Sequence, residues 1–448
     1  MSDPDAANWE ALYKPPRNRR ALALAVDIAE RLTEAGTVER AVASARSTTT
    51  EPSSISWAPY SIAQGDVGVA LMFGCFDACF PNEGWDQRAH SWIERAARGA
   101  ETAVNLPCGL FDGLSGLAFT VAFLSRGGRR YQKLHAHLRD WVVREARARC
   151  AAFDAMLADG SLPFVSWDLI AGLTGIAVYF LSRRDGEALQ PLLERLVALT
   201  RESDALPGWR TPAALSGSWM SRSFPDGHLN CGLAHGIPGP LALLSLALRD
   251  GHVVPGQEQA IDRIAQWLSR NFVMDAWGVN WPSAVPLERQ NGQLAARTTD
   301  GLTPTHAAWC YGSPGVARAL WLAGGAMRNA AYSSLGLEGM RAVLRRTDKA
   351  RALTSPAFCH GLAGLLGMTL RFRHDVDDPQ FTAFARTLMR QIEEMHEPET
   401  LLGYRTTEQG GKRIDQPGLL DGAPGIAMVL LAAGTDRPPD WDRLFLLS

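Results

Sequence analysis

Seven stretches of about 10 to 12 residues with little polar content recur along the chain, each opening on G-x-x-G. GLSGLAFTVAFLS and GAPGIAMVLLAAG are apolar at nearly every position, which suits a helix buried around most of its circumference. Between them run Arg/Glu-rich stretches such as AIDRIAQWLSRNF and AFARTLMRQIEEMH, which suit helices with one wet face. The pattern predicts two kinds of helix in alternation, one enclosed and one half-exposed.

The motif copies are GDVGVAL from Gly65, GLSGLAF from Gly113, GLTGIAV from Gly172, GIPGPLA from Gly236, GSPGVAR from Gly312, GLAGLLG from Gly361 and GAPGIAM from Gly422. Their starts lie 48, 59, 64, 76, 49 and 61 residues apart, each interval long enough for two helices and their loops. One such pair cannot bury its apolar face alone. Seven in series therefore predict an all-α fold, an α/α toroid (barrel) of seven inner and seven outer helices. A chain of 448 residues would ordinarily divide into about three domains, but the repeat ties residues 18–448 into one body. Residues 1–17 read as an N-terminal tail and the Ser/Thr-rich residues 43–55 as a linker. The longest interval carries DAWGVNWPSAVPLERQNGQ, read as an insertion of loop or short strands on one rim near 275–303.

Composition narrows the partners. Forty-five Lys+Arg against 47 Asp+Glu leave a net charge of −2, without the basic excess that nucleic acid or anionic lipid requires. MSDPDAANWEALYKPP lacks the basic flank and apolar core of a secretory signal, and Asp77 and Asp421 interrupt the best candidates for a membrane span. Seven cysteines, an odd number spread along a long chain, read as thiols or metal ligands and not as a secreted disulfide framework. The expected setting is the cytoplasm.

Candidate chemistry emerges from the residues just before each motif. Immediately before the first glycine stand Gln64, Asp112, Ala171, His235, Tyr311, His360 and Asp421. Equivalent positions of a ring repeat share one rim, so these side chains are expected to converge on one mouth of the toroid. One position earlier, Cys310 (in WCYG) and Cys359 (in CHG) are equivalent in adjacent repeats, hence neighbours in space. With His360 they offer two thiolates and an imidazole, the donors zinc prefers, with a fourth tetrahedral position left open. Two thiolates cancel the charge of the metal, so an incoming third thiolate remains electron-rich, and a thiol is a better-suited substrate than water. His235 should face the metal across the mouth as a general acid or base, with Asp168 of WDLIAGLTG orienting it. Cys75, Cys79, Cys108, Cys150 and Cys231 receive no role, and His135, His137 and His374 read as solvent-facing.

Together GHLNCGLAHGIPGPLALL, AAWCYGSPGVARAL, FCHGLAGLL and GLLDGAPGIAMVLL resemble the lanthionine cyclases, the LanC family of lanthipeptide biosynthesis, over about residues 20 to 445. The resemblance implies the toroid, a zinc ion held by Cys310, Cys359 and His360, and addition of peptide cysteine thiols to dehydroalanine or dehydrobutyrine, closing thioether rings. It implies that His235 protonates the enolate formed after attack, and it matches Asp168 and Tyr311 to family motif positions. One position departs: an arginine is common in the family four residues before the first zinc cysteine, where this chain has His306. Three consequences are open, that His306 acts as an imidazolium, that another arginine reaches in, or that activity is altered. The implied partners are a dehydrated precursor peptide, a separate dehydratase and other modification enzymes. Two further readings stand beside this one, a zinc-bearing peptide-binding scaffold without catalysis and a thiol-alkylating toroid of the prenyltransferase type.

Overall fold

The structure is a computed structural model that describes residues 9–50, 54–203, 206–291, 293–408 and 411–448. Two helices precede the first motif, α1 (Arg19–Arg31) and α2 (Ala35–Thr48). The first three motifs open the pairs α3 (Asp66–Cys79) and α4 (Trp85–Thr102), α5 (Leu114–Leu124) and α6 (Gln132–Asp159), and α7 (Leu173–Ser182) and α8 (Gly186–Leu199). After the short α9 (Ser218–Ser223) come α10 (Pro238–Arg249) with α11 (Gln257–Arg270), and α12 (Ser313–Met327) with α13 (Ala330–Arg345). The single turn α14 (Asp348–Arg351) precedes α15 (Leu362–Asp375) with α16 (Pro379–Glu394), and the last motif opens α17 (Ala423–Gly434).

Burial separates the two layers. All twelve residues of α17 are buried, and α3, α5, α7, α10, α12 and α15 are enclosed over most of their length. By contrast α16 buries Phe381, Phe384, Ala385, Leu388, Met389 and Ile392, a single stripe at helical spacing. Each large apolar side chain on such a stripe contributes roughly 1.5–3 kcal/mol on leaving water. The enclosed helices contact one another in sequence, and α17 contacts α3, which closes the ring. The outer partner of α17 is α1, from the other end of the chain.

A continuous belt of backbone hydrogen bonds runs round the mouth of this ring. The residue two before each motif donates its N–H to the equivalent carbonyl of the next repeat: Ala63 to Phe111, Phe111 to Ile170, Ala234 to Cys310, Cys310 to Cys359, Cys359 to Leu420 and Leu420 to Ala63. At the third repeat the donor to Ala234 is Leu169 in place of Ile170, a one-residue offset. The second glycine of each motif lets the new helix pass close to the strand-like segment before it. At Gly364 a Cβ would lie 1.9 Å from the carbonyl oxygen of Phe358. Gly312 has φ +143°, and a Cβ there would lie 2.1 Å from the oxygen of His306, so only glycine fits the turn.

Three expectations about the chain's margins change. Residues 43–48, read as linker, are the last turns of α2, whose buried Val38, Ala41, Val42 and Ala45 hold it as a helix; residues 51–53 lie outside the described residues. Of the expected tail, residues 1–8 lie outside the described residues, whereas Trp9 and Leu12 are buried. Trp9 Nε1 donates to Ala432 O at 2.9 Å and Leu12 N to Ala433 O at 2.8 Å, so this segment docks on α17. His135 and His374 are half-buried, against Tyr179 and Trp9 respectively. The insertion does form short strands: Val273–Asp275 pairs with Gly278–Asn280, and Ala284–Gln290 joins a four-stranded sheet with Arg210–Thr211, His228–Asn230 and Gln293–Ala296. Among the described residues no helix is long and apolar enough to cross a membrane.

His228 is fully buried in that sheet, its Nδ1 3.4 Å from Ser216 Oγ, and burial pushes its imidazole down to about 4. Between that value and the roughly 6.5 of an unfolded histidine, the unfolded chain binds a proton that the folded chain refuses, so stability falls on acidification. The expected loss is roughly 3 kcal/mol between pH 6.5 and 4. Urea midpoints measured at pH 7 and 4.5 should therefore lie closer together in His228→Phe than in the wild type.

Candidate metal centre and active site

The belt decides which side chains meet. Cys310 N donates to Cys359 O at 3.2 Å, so cysteines 49 residues apart in sequence become direct neighbours. His360 follows in the non-helical turn before α15, where adjacent residues can face a common point. The Sγ atoms of Cys310 and Cys359 and a ring nitrogen of His360 lie within 4.8 Å of one another. Donors to a tetrahedral zinc ion with bonds of about 2.0–2.3 Å lie roughly 3.5–4 Å apart. The set therefore fits zinc in donor type and in approach, and the donors stand at the open mouth of the ring.

The electrostatics of the three groups are coupled. A hydrogen bond from Cys359 and the facing His360 ring hold the Cys310 thiol well below its ordinary value, against burial. The same bond, with burial, raises Cys359 well above it. The bond to Cys310 lifts His360 to about 9. His360 Nδ1 also lies 3.4 Å from Oδ1 of Asp421, whose carboxyl burial pushes up. Asp421 is thus placed to steady the ring of this candidate ligand, a common arrangement behind metal-binding histidines.

His235 sits next along the mouth, its Nδ1 2.6 Å from Oδ2 of Asp168. Asp168 is fully buried, and its other oxygen accepts from Ala171 N at 2.8 Å and Gly172 N at 2.9 Å. A carboxylate bonded in this way accepts from Nδ1–H, which fixes the tautomer and leaves Nε2 without a proton. These two backbone bonds also account for the offset in the belt, because the third repeat turns one residue early around the carboxylate. Asp168 therefore stands four residues before its glycine and still reaches a histidine one residue before the next.

Tyr311 packs its ring 6.2 Å from that of His235, and its hydroxyl accepts from Asn230 Nδ2 at 2.8 Å. Burial raises the phenol above its ordinary value, so it stays protonated. Phe164 meets the His235 ring edge-on at 5.4 Å. No sequence pattern singles out Asn230, which lies within GHLNCGLAHGIPGPLALL, or Phe164, which stands outside the repeat register.

His306 is exposed at the mouth, within electrostatic reach of Cys310 and His360. Packing on its protein-facing side lowers its imidazole from the ordinary value, against the pull of the Cys310 sulfur. Arg149 of α6 reaches the third repeat, donating to Ala171 O at 2.9 Å, and its charge opposes the upward push of burial on Asp112.

All of these residues fall within one matched span. The family of lanthionine synthetase C-like proteins matches residues 56–446. The nisin biosynthesis protein NisC of Lactococcus lactis subsp. lactis is 24% identical over 377 residues, covering 83% of this chain and 84% of that protein. The solved structure of nisin cyclase superposes with a TM-score of 0.71 at 20% identity, over 92% of this chain and 97% of the other. The family match spans most of the repeats, and the superposition shares their fold, so the chain belongs to the lanthionine synthetase C-like family.

Proposed function

We propose that the protein is a zinc-dependent lanthipeptide cyclase that adds peptide cysteine thiols to dehydroalanine or dehydrobutyrine, giving lanthionine and methyllanthionine rings. The observation that carries this is the meeting, at one mouth, of a Cys310–Cys359–His360 donor set with a histidine oriented by a buried carboxylate. Cys310, Cys359 and His360 would hold the zinc ion, which when bound supplies the Lewis acidity that keeps an incoming thiol deprotonated at neutral pH. The cyclase activity of the similar nisin proteins supports the same reading.

The chain's own residues then account for the proton. The thiol gives up its proton, which His235 Nε2 takes to become the imidazolium; sulfur bonds to the β-carbon, the carbon–carbon π pair moves to the enolate, and Nε2–H returns the proton to the α-carbon. Nothing leaves, so thiol and alkene are both consumed in one adduct. Asp168 stabilises the imidazolium before that transfer and holds the ring at one angle to the substrate. Phe164 and Tyr311 pack against the same ring and would limit its movement. His306 would serve as a hydrogen-bond partner at the mouth.

The substrate would arrive already dehydrated, from a separate dehydratase in the cytoplasm. Incubation of zinc-loaded protein with a dehydrated peptide, followed by thiol alkylation and mass spectrometry, tests the proposal. The expected result is loss of alkylatable thiols with no change in peptide mass. A scaffold would bind the peptide and leave its thiols free.

A further inference from the structure

The belt sets the N-terminal ends of the inner helices at the metal-bearing mouth, so their C-terminal ends meet at the opposite one. Helices of 10 to 15 residues separate the two by roughly 15–22 Å. There a cavity of about 720 Å³ opens, within the rough 300–1,000 Å³ range of binding clefts. Its lining includes Arg183, Arg184, Arg249, Arg318, Arg371 and Arg443.

Three of these arginines tie residues 440–448 to the inner helices and their ends. Arg318 pairs with Asp375 at 2.6 Å and donates to Leu447 O at 2.7 Å, Arg371 pairs with Asp442, and Arg443 pairs with Asp250 at 2.6 Å. Arg249 lies 3.7 Å from Asp250, which it shares with Arg443. Arg183 and Arg184 follow α7, are exposed, and have no carboxylate within 4 Å among the described residues. Asp375, Asp442 and Asp250 thus pair with Arg318, Arg371 and Arg443, and Asp440 also lines the cavity, so Arg183 and Arg184 carry the charge that faces an incoming ligand. Phe119, Phe123 and Trp321 supply an apolar wall beside them.

We propose that this second mouth is a binding site for an acidic peptide segment, with carboxylates on Arg183 and Arg184 and an aromatic or aliphatic side chain against the Phe119–Phe123–Trp321 wall. Guanidinium groups pair bidentately with carboxylates, and the apolar wall gives a peptide side chain a contact that an inorganic anion lacks. The site is independent of the metal centre and of the reaction proposed there.

Calorimetric titration of the zinc-loaded full chain with the blocked peptide Leu-Asp-Phe-Asp tests this, beside Leu-Lys-Phe-Lys, citrate and inorganic phosphate. Binding of the acidic peptide is expected, weakened by roughly tenfold or more in Arg183→Ser/Arg184→Ser, retained in Cys359→Ala, and not seen with the lysine peptide. Melting curves establish that the double variant is folded. Equal affinity in the double variant, no binding at millimolar peptide, or citrate or phosphate binding as tightly as the peptide would each overturn the proposal.

Discussion

Cys359→Ala is expected to lower zinc from about one ion per chain to near zero and to reduce ring closure by roughly a thousandfold or more. Removing one of three protein donors leaves two, and metal affinity depends on the full deprotonated set. The fold should survive the change. Cys359 precedes α15, and its backbone bonds within the belt, N–H to Leu420 and carbonyl from Cys310, do not involve the thiol. Elemental mass spectrometry and a melting curve on the same sample separate the two effects. A variant that keeps a full complement of zinc would remove Cys359 from the centre, and one that closes rings without zinc would sink the metal-dependent reading.

The opposite pattern is expected of His235→Ala. Zinc content should match the wild type, because His235 bonds to Asp168 and stands outside the donor set. Ring closure should fall by roughly 10²–10⁴, the usual contribution of a positioned acid or base. The rings that still form should carry both configurations at the α-carbon, since solvent then supplies the proton from either face. Chiral chromatography of hydrolysed product reads this directly. Wild-type rates with a single configuration would assign the proton to another group.

Much of this site is legible in the sequence because it lies in the repeat register. Cys310 and Cys359 occupy the same position of adjacent repeats, and the belt turns that equivalence into contact. Asp168 stands three positions ahead of the register, yet its pairing with His235 survives because the backbone turns early to meet the carboxylate. What escapes the sequence lies outside that periodicity. Phe164 reaches His235 from a short helical turn set by local geometry. The arginines of the second mouth sit at or near helix ends of unequal length, so no common spacing marks them. Whether His306 carries charge depends on the water around it, which no motif encodes. The outer helix of the last repeat is equally invisible, because the stretch that covers α17 is α1, at the far end of the chain.

That last arrangement governs the order in which the molecule can assemble. Trp9 bonds to Ala432 across 423 residues, and α1 has no inner partner until α17 exists. Intermediate pairs can form as neighbours in sequence, whereas this junction must wait for the largest loop to close, the slow class of contact in folding. During synthesis α1 is an amphipathic stripe without its cover, exposed until the final repeat emerges. A circular permutant that joins the α17 side to the α1 side by a linker, and opens instead on an exposed loop between two other repeats, would turn the slowest contact into a local one. Its refolding should be faster while the mouth it builds stays the same.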